Sequence, residues 1–273
     1  MPARTLFDIE LGLLLEGVYR QYQHDFRSYS VASMRRRIHQ AMERFGCATV
    51  SELQGKILHD PAIFAQMLQY FTVQVSEMFR DPDYFLALRR AVVPVLRTYA
   101  SIKIWVAGCS SGEEVWSLAI LLHEEGLLER SLIYATDINP VAIKQAESGI
   151  YDIERIAAFS RNYRAAGGSG SLSDYYRTDM HDAIFDRQLR RQIVFADHSL
   201  ATDSVFSEVH LVSCRNVLIY FNRDLQDRAV GLFHEALVRR GFLGLGAKES
   251  LRFSAWADRF VDVAPTEKIY QRL

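Results

Sequence analysis

The sequence predicts an α/β protein, with an all-helical N-terminal region followed by a mostly parallel sheet covered on both faces. Three observations carry that expectation. Residues 102–114, Ile-Lys-Ile-Trp-Val-Ala-Gly-Cys-Ser-Ser-Gly-Glu-Glu, pass from a short apolar strand through a small-residue turn directly into a helix. Strand-like and helical stretches then alternate toward the C-terminus, the pattern of βαβ units whose helices cover a parallel sheet. Before residue 86 no β-pattern of any length occurs.

In the first 85 residues apolar side chains recur at helical spacing. They do so at Leu11, Leu14, Leu15 and Val18, and again at Met34, Ile38, Ala41, Met42 and Phe45. Gly46 ends the second helix, Ser51 is placed to cap the third, and a fourth runs from Pro61 to about Tyr70. Setting Met34, Ile38 and Met42 inward turns Arg36 to water, with Arg35 and Arg37 flanking it. Such a basic face suits an acidic protein partner as well as plain solvation.

Beyond residue 86 the expected strands are 102–106, 132–136, 192–195, 209–213, 242–245 and 269–272. The expected helices are 113–125, 140–148 and 223–239. One stretch breaks the alternation. Residues 151–191 contain a Gly/Ser-rich segment at 165–171 and then a polar run, too long for a featureless loop in a compact domain. It reads as a small inserted subdomain or a lid. The expected organisation is therefore 1–85 helical and 86–273 α/β, with an insertion at about 151–191.

Composition narrows the function classes. The 273 residues are 49% hydrophobic and 24% charged, as in soluble globular proteins. A net charge of −1 gives no global electrostatic case for nucleic acid or an anionic membrane. Cys47, Cys109 and Cys214 show no metal-ligand spacing, and the expectation is a reduced cytoplasmic compartment with no metal. No segment is long and apolar enough to span a bilayer, and the N-terminus lacks the apolar core of a signal peptide.

The turn after the first strand carries the chemistry. Gly108 allows a ligand to approach the backbone at the sheet's carboxyl edge. A phosphate site would want bare N–H groups and positive charge at the helix start. Glu113 and Glu114 stand there instead, which also complements the helix dipole. They repel a pyrophosphate and suit a cationic ligand, and S-adenosylmethionine, an adenosyl group joined to an amino acid through a sulfonium, fits. Asp137 ends the second strand, where a carboxylate can accept both ribose hydroxyls. Asp137 or Asn139 can also cap the helix that starts at Pro140. Arg215 and Asn216 follow a buried strand to the same edge, and Tyr220 lies within the next turn. Arg80, at the junction of the two halves, can grip a carboxylate or pair with Asp81 or Glu77. His39, His123, His198 and His210 form no paired spacing.

These runs together resemble the chemotaxis-receptor methyltransferase (CheR) family. The family's segments appear in order as Met-Phe-Arg80, AGCSSGEEVWS, TDIN with SGIY, CRNVLIYFN and GAKES, over nearly the whole chain. The resemblance implies a Rossmann-like class I methyltransferase sheet, mostly parallel with an antiparallel last strand. It implies S-adenosylmethionine-dependent formation of glutamate methyl esters on the cytoplasmic region of chemoreceptors. By position, Arg80 and Glu114 would bind the amino-acid end of the cofactor with Glu113 beside it, and Asp137 the ribose. Arg215 and Tyr220 would lie near the transferred methyl, with Asn216 in the same turn. The basic second helix, with Arg35, Arg36 and Arg37, resembles the receptor-facing surface. Gln74 and Ser76 stand where the family often has Asn and Thr, and Ser199-Leu200 where it has Asn-Leu beneath the adenine. The insertion lacks the Gly-Thr-Gly turn of members that dock a receptor's tethering tail, so independence from such a tail is expected. Two other readings share the cofactor residues: a methyltransferase of another acidic substrate, and a cofactor-binding signalling module without transfer.

Overall fold

The computed structural model describes residues 5–72 and 76–273. Four helices come first: α1 (Leu6–Tyr22), α2 (Val31–Phe45), α3 (Val50–His59) and α4 (Pro61–Phe71). Each buries one stripe, with Leu11, Leu14, Leu15 and Val18 from α1 meeting Met34, Ile38 and Ala41 from α2 in a separate core. Gly46 closes α2 in the left-handed conformation. The cap of α3 is Thr49, whose hydroxyl accepts from the Glu52 N–H at 3.1 Å. Ser51, the expected cap, sits inside the first turn and donates to Glu10 instead.

The second half opens with α5 (Pro82–Ala87), a π-turn at Leu88–Val92 and α6 (Val93–Leu96). Then strands and helices alternate: β1 (Ile102–Ala107), α7 (Glu113–Glu124), β2 (Ser131–Asp137) and α8 (Pro140–Ser148). Later come β6 (Ile193–Asp197), β7 (Val209–Cys214), α11 (Arg223–Ala236), β8 (Leu237–Leu245), β9 (Phe260–Ala264) and β10 (Ile269–Arg272). The sheet order is β6-β2-β1-β7-β8-β10-β9. β6, β2, β1, β7 and β8 pair in parallel, and β10 lies antiparallel to both β8 and β9. One face of the sheet packs on a core that includes Ile104, Trp116, Leu118 and Ile133. The other packs Trp105, Val212, Phe233 and Leu243.

Between α8 and β6 the chain forms β3 (Ile150–Asp152), α9 (Ile153–Ala165), β4 (Tyr176–Asp179), β5 (Asp182–Phe185) and α10 (Arg187–Arg190). β3, β5 and β4 make a separate antiparallel sheet.

Two expectations need correction. The helix predicted at 223–239 ends at Ala236, and Leu237 starts β8, because the chain there joins the parallel ladder opposite Val209. The outer strand β9 had no place among the expected strands. Its residues alternate poorly, with Val261 and Asp262 both exposed at the sheet's edge.

Candidate active site

The parallel strands deliver their carboxyl ends to one cleft, partly open to solvent and closed on the other side by the helical domain. At its floor lies the turn after β1. The N–H groups of Gly108 and Cys109 both donate to the Thr136 carbonyl at 2.8 Å. Ser110 N–H donates to Asp137 Oδ2 at 2.9 Å, and Gly112 N–H to the Cys109 carbonyl at 2.9 Å. These amides are turned toward the chain itself, so the bend does not present the open N–H cradle a pyrophosphate needs. Gly108 has φ +75°, and a Cβ there would sit 2.5 Å from Val217 Cγ2, so the close approach of the two loops requires glycine.

The adjacent acids of α7 part ways. Glu113 is fully buried away from the cleft, accepting from Ser111 Oγ at 2.7 Å and pairing with Arg155 of α9 at 2.8 Å. Glu114 lines the cleft. Its Oε1 accepts from Ser213 Oγ at 2.6 Å and its Oε2 from Arg215 Nη1 at 3.0 Å. With the Ser213 proton committed to Glu114, the Tyr84 hydroxyl, 2.9 Å away, donates to Ser213. Arg215 is almost wholly buried. Its Nη2 donates to the Arg80 carbonyl and to Asp81 Oδ2, both at 2.8 Å, and its guanidinium lies 4.1 Å over the Tyr84 ring. Two carboxylates therefore neutralise Arg215 already. Arg80 also lines the cleft, and its guanidinium has neither a hydrogen bond nor a carboxylate partner among the described residues.

Asp137 sits at the end of β2, 8% exposed on the cleft wall. Burial pushes its carboxyl above the usual range, against the pull of backbone N–H groups from Ser110, Asn139 and Ile138. Oδ2 accepts from the Ser110 N–H and Oδ1 from the Asn139 N–H at 3.0 Å, and a carboxylate with about four acceptor sites keeps capacity for a hydroxyl donor. Asn139 is the cap of α8, accepting from Val141 and Ala142.

Leu200, Asn216, Tyr220 and Ser76 also line the cleft. Ser199 does not. It shapes the turn after β6, where its N–H donates to Asp203 Oδ2 at 2.8 Å. Gln74 lies outside the described residues.

Arg37 departs from the expected basic face. Arg36 is exposed and Arg35 pairs with Asp8, but Arg37 is 3% exposed and enters the cleft wall. There Nη1 donates to the Phe71 carbonyl, and the guanidinium lies 4.6 Å over the Tyr220 ring. The pattern contained the signal, since residues 34, 37, 38 and 41 share one helical face. Tyr29 and His198 were missed as cleft residues. His198 follows β6 at the carboxyl edge, a signal sequence offers, whereas nothing local marks Tyr29. The connection between α1 and α2 grips the Tyr220 loop: Ser30 N–H donates to the Tyr220 carbonyl and Asn222 N–H to the Ser28 carbonyl, each at 2.8 Å. Tyr29 and Phe221 form a β-bridge with their rings 5.0 Å apart.

Comparison with known proteins decides the family. The family model described as CheR methyltransferase, SAM binding domain, matches residues 74–266, and that described as CheR methyltransferase, all-alpha domain, matches residues 9–72. The chain belongs to the CheR methyltransferase family. It is 60% identical over 272 residues to "Putative methyltransferase Cher3" of Pseudomonas putida, covering 100% of both chains. It is 29% identical over 236 residues to a chemotaxis protein methyltransferase of Listeria monocytogenes, covering 86% of this chain and 87% of that one. It is also 31% identical over 280 residues to an uncharacterised 104.1 kDa protein of Rhodobacter capsulatus, covering 96% of this chain and 27% of that protein. As a CheR-type methyltransferase the chain uses S-adenosylmethionine. The cleft fits that cofactor on its own terms, with a cation that has no partner among the described residues, a carboxylate with acceptor capacity left, and a bend whose amides are largely committed to the chain. Among the described residues no helix is long and apolar enough to cross a membrane.

Proposed function

We propose that this CheR-family protein forms glutamate methyl esters on the cytoplasmic helical region of chemoreceptors, acting in the cytoplasm. The observation that carries the proposal is the convergence of Arg80, Glu114, Asp137, Leu200, Asn216 and Tyr220 on one cleft that the helical domain helps to close. S-adenosylmethionine, when bound, supplies an electrophilic methyl on a sulfonium. Arg80 holds the methionyl carboxylate through its guanidinium, and Glu114 faces the ammonium. Asp137 accepts the ribose hydroxyls, and Leu200 packs against the adenine. Ser199 contributes through the turn it shapes. Glu113 acts at one remove, fixing the start of α7 through Arg155.

The substrate carboxylate needs no general base, because glutamate with a reference pKa of about 4.3 is ionised near neutral pH. The residues then have to align oxygen, carbon and sulfur and keep water out. Tyr220 and Arg215 stand at the wall where the two substrates meet. Arg215, held by Glu114 and Asp81, contributes a fixed field, and Tyr220 orients the incoming carboxylate. Arg35, Arg36 and Arg37 belong to the receptor-facing helix, the first two at its surface and Arg37 within the wall.

The turn joining β4 and β5 is Asp179-Met180-His181-Asp182. It contains no glycine, and Met180 is 93% exposed. That supports recognition of the receptor's methylation helices without a tethering tail. Incubation with methyl-labelled cofactor tests the proposal. Label should enter purified receptor cytoplasmic fragments as base-labile esters. Labelling of other proteins in a total lysate, with receptor fragments left unlabelled, would reject chemoreceptors as the substrate.

A further inference from the structure

Glu249 is one of the few buried carboxylates, 5% exposed, and it does not line the cleft. It lies just past β8. Its Oε2 accepts from the Gly246 N–H at 2.6 Å and from the Asn216 N–H at 3.0 Å, and its Oε1 accepts from the Ile219 N–H at 3.2 Å. One side chain thus ties the segment after β8 to the segment after β7. The latter carries five residues of the cleft wall, Arg215, Asn216, Val217, Tyr220 and Phe221. Asn216 has φ +61°, in the left-handed region, which asparagine tolerates better than most side chains do.

We propose that Glu249 is a positioning residue for methyl transfer, holding the 216–219 backbone so that Tyr220 meets the acceptor carboxylate in a single pose. This rests on the role given to Tyr220 above. The carboxylate suits the task because ionised oxygens accept several N–H groups at once, and hydrogen bonds to charge are stronger than neutral ones. A glutamine in its place turns one acceptor into a donor aimed at a backbone N–H, so the loop is released on one side while the shape is kept.

Two measurements on the full chain test this. In amide hydrogen exchange, Glu249→Gln should speed exchange by about 10-fold or more at whichever of Asn216 and Ile219 faces the new amide nitrogen, while the amides of β7 keep their wild-type rates. In methyl transfer to receptor fragments, kcat should fall about 10-fold, more than the Kd for S-adenosylmethionine rises. In a Tyr220→Phe background the same change should lower kcat by less than about 2-fold, because the two residues act as one unit. A merely structural carboxylate would instead give losses that multiply. Unaltered exchange at Asn216 and Ile219, or multiplying losses, overturns the proposal. Should Glu249→Gln lose protection throughout the chain, Glu249→Asp, which keeps the charge and shortens the reach, takes its place in both measurements. A wild-type protein that methylates no receptor fragment removes the proposed substrate, and the exchange result still decides the anchoring by Glu249.

Discussion

Arg37 of the helical domain lies over the ring of Tyr220 in the methyltransferase domain, its guanidinium carbon 4.6 Å from the ring centroid. The arginine is held by the Phe71 carbonyl, and the tyrosine by the Ser30 N–H on its own carbonyl. The helical domain is therefore part of the cleft wall.

Arg37→Ala should act on turnover. A partly desolvated cation over an aromatic ring is worth about 0.5–2 kcal/mol. Its loss should lower kcat by roughly 3- to 30-fold on receptor fragments. Arg36→Ala, at the exposed surface of the same helix, should instead raise KM for the receptor fragment. Steady-state kinetics with the receptor concentration varied separates the two. Equal effects on KM from both variants would place Arg37 with the surface residues.

Asp137→Ala should weaken cofactor binding strongly. Hydrogen bonds to a charged group contribute about 1.5–3 kcal/mol each, so losing two ribose contacts predicts affinity lower by about 100-fold or more. Calorimetric titration with S-adenosylmethionine checks this, and an unchanged Kd would refute the ribose assignment. The carboxyl already sits above its usual range through burial. Affinity should accordingly begin to fall, on acidification, at a higher pH than an ordinary aspartate would give.

Gly149→Ala should destabilise the fold without touching the cleft. Gly149 has φ +60°, and a Cβ there would lie 2.4 Å from Cζ2 of Trp116, which is buried on α7. A left-handed conformation costs an alanine about 1–2 kcal/mol, and overpacking typically adds about 1–3 kcal/mol. Urea unfolding should show a loss of about 2–5 kcal/mol. A loss below about 0.5 kcal/mol would show that Trp116 moves aside freely.

Glu124 should give the protein an acid-sensitive seam. It is nearly buried, pairs with Arg89, and accepts from the Tyr163 hydroxyl and the Ser169 N–H, which ties α7 to the segment between β3 and β4. Burial raises its carboxyl, but the hydrogen bonds from Tyr163, Ser169 and Arg89 together outweigh it and hold the group below 4.5. A depressed folded value means that its stabilisation is fully present above the unfolded value near 4.5 and is lost as pH falls through the folded one. Glu124→Gln should therefore lower Tm at pH 7 and make little difference at the acid end. A gap between wild type and variant that stays constant down to pH 3 would contradict this linkage.

The strand–turn–helix at 102–114 was legible because periodicity, glycine and acidic helix start agree over a short stretch. What sequence could not resolve was direction. Glu113 and Glu114 look equivalent on the page, yet successive helical residues point about 100° apart, so one meets Arg155 and the other the cleft. Arg37 was misplaced because an arginine beside two others suggests a solvated face, although its spacing from Met34 puts it inward. The end of α11 was hidden because Leu237 and Val238 continue the helical period, and only pairing with β7 makes them strand. Tyr29 and the grip on Tyr220 arise from contacts between segments nearly 200 residues apart, which no local pattern encodes.

The inward-facing amides of the 108–112 bend have a consequence for the living cell. Cells are rich in ATP and other adenine nucleotides that share the adenosyl half of the methyl donor. A triphosphate would find the amides of Gly108, Cys109, Ser110 and Gly112 already committed, so the bend would add nothing to its hold beyond the adenosyl half. The degree of modification this protein imposes should then follow the supply of methyl donor and its spent product, and stay blind to energy charge.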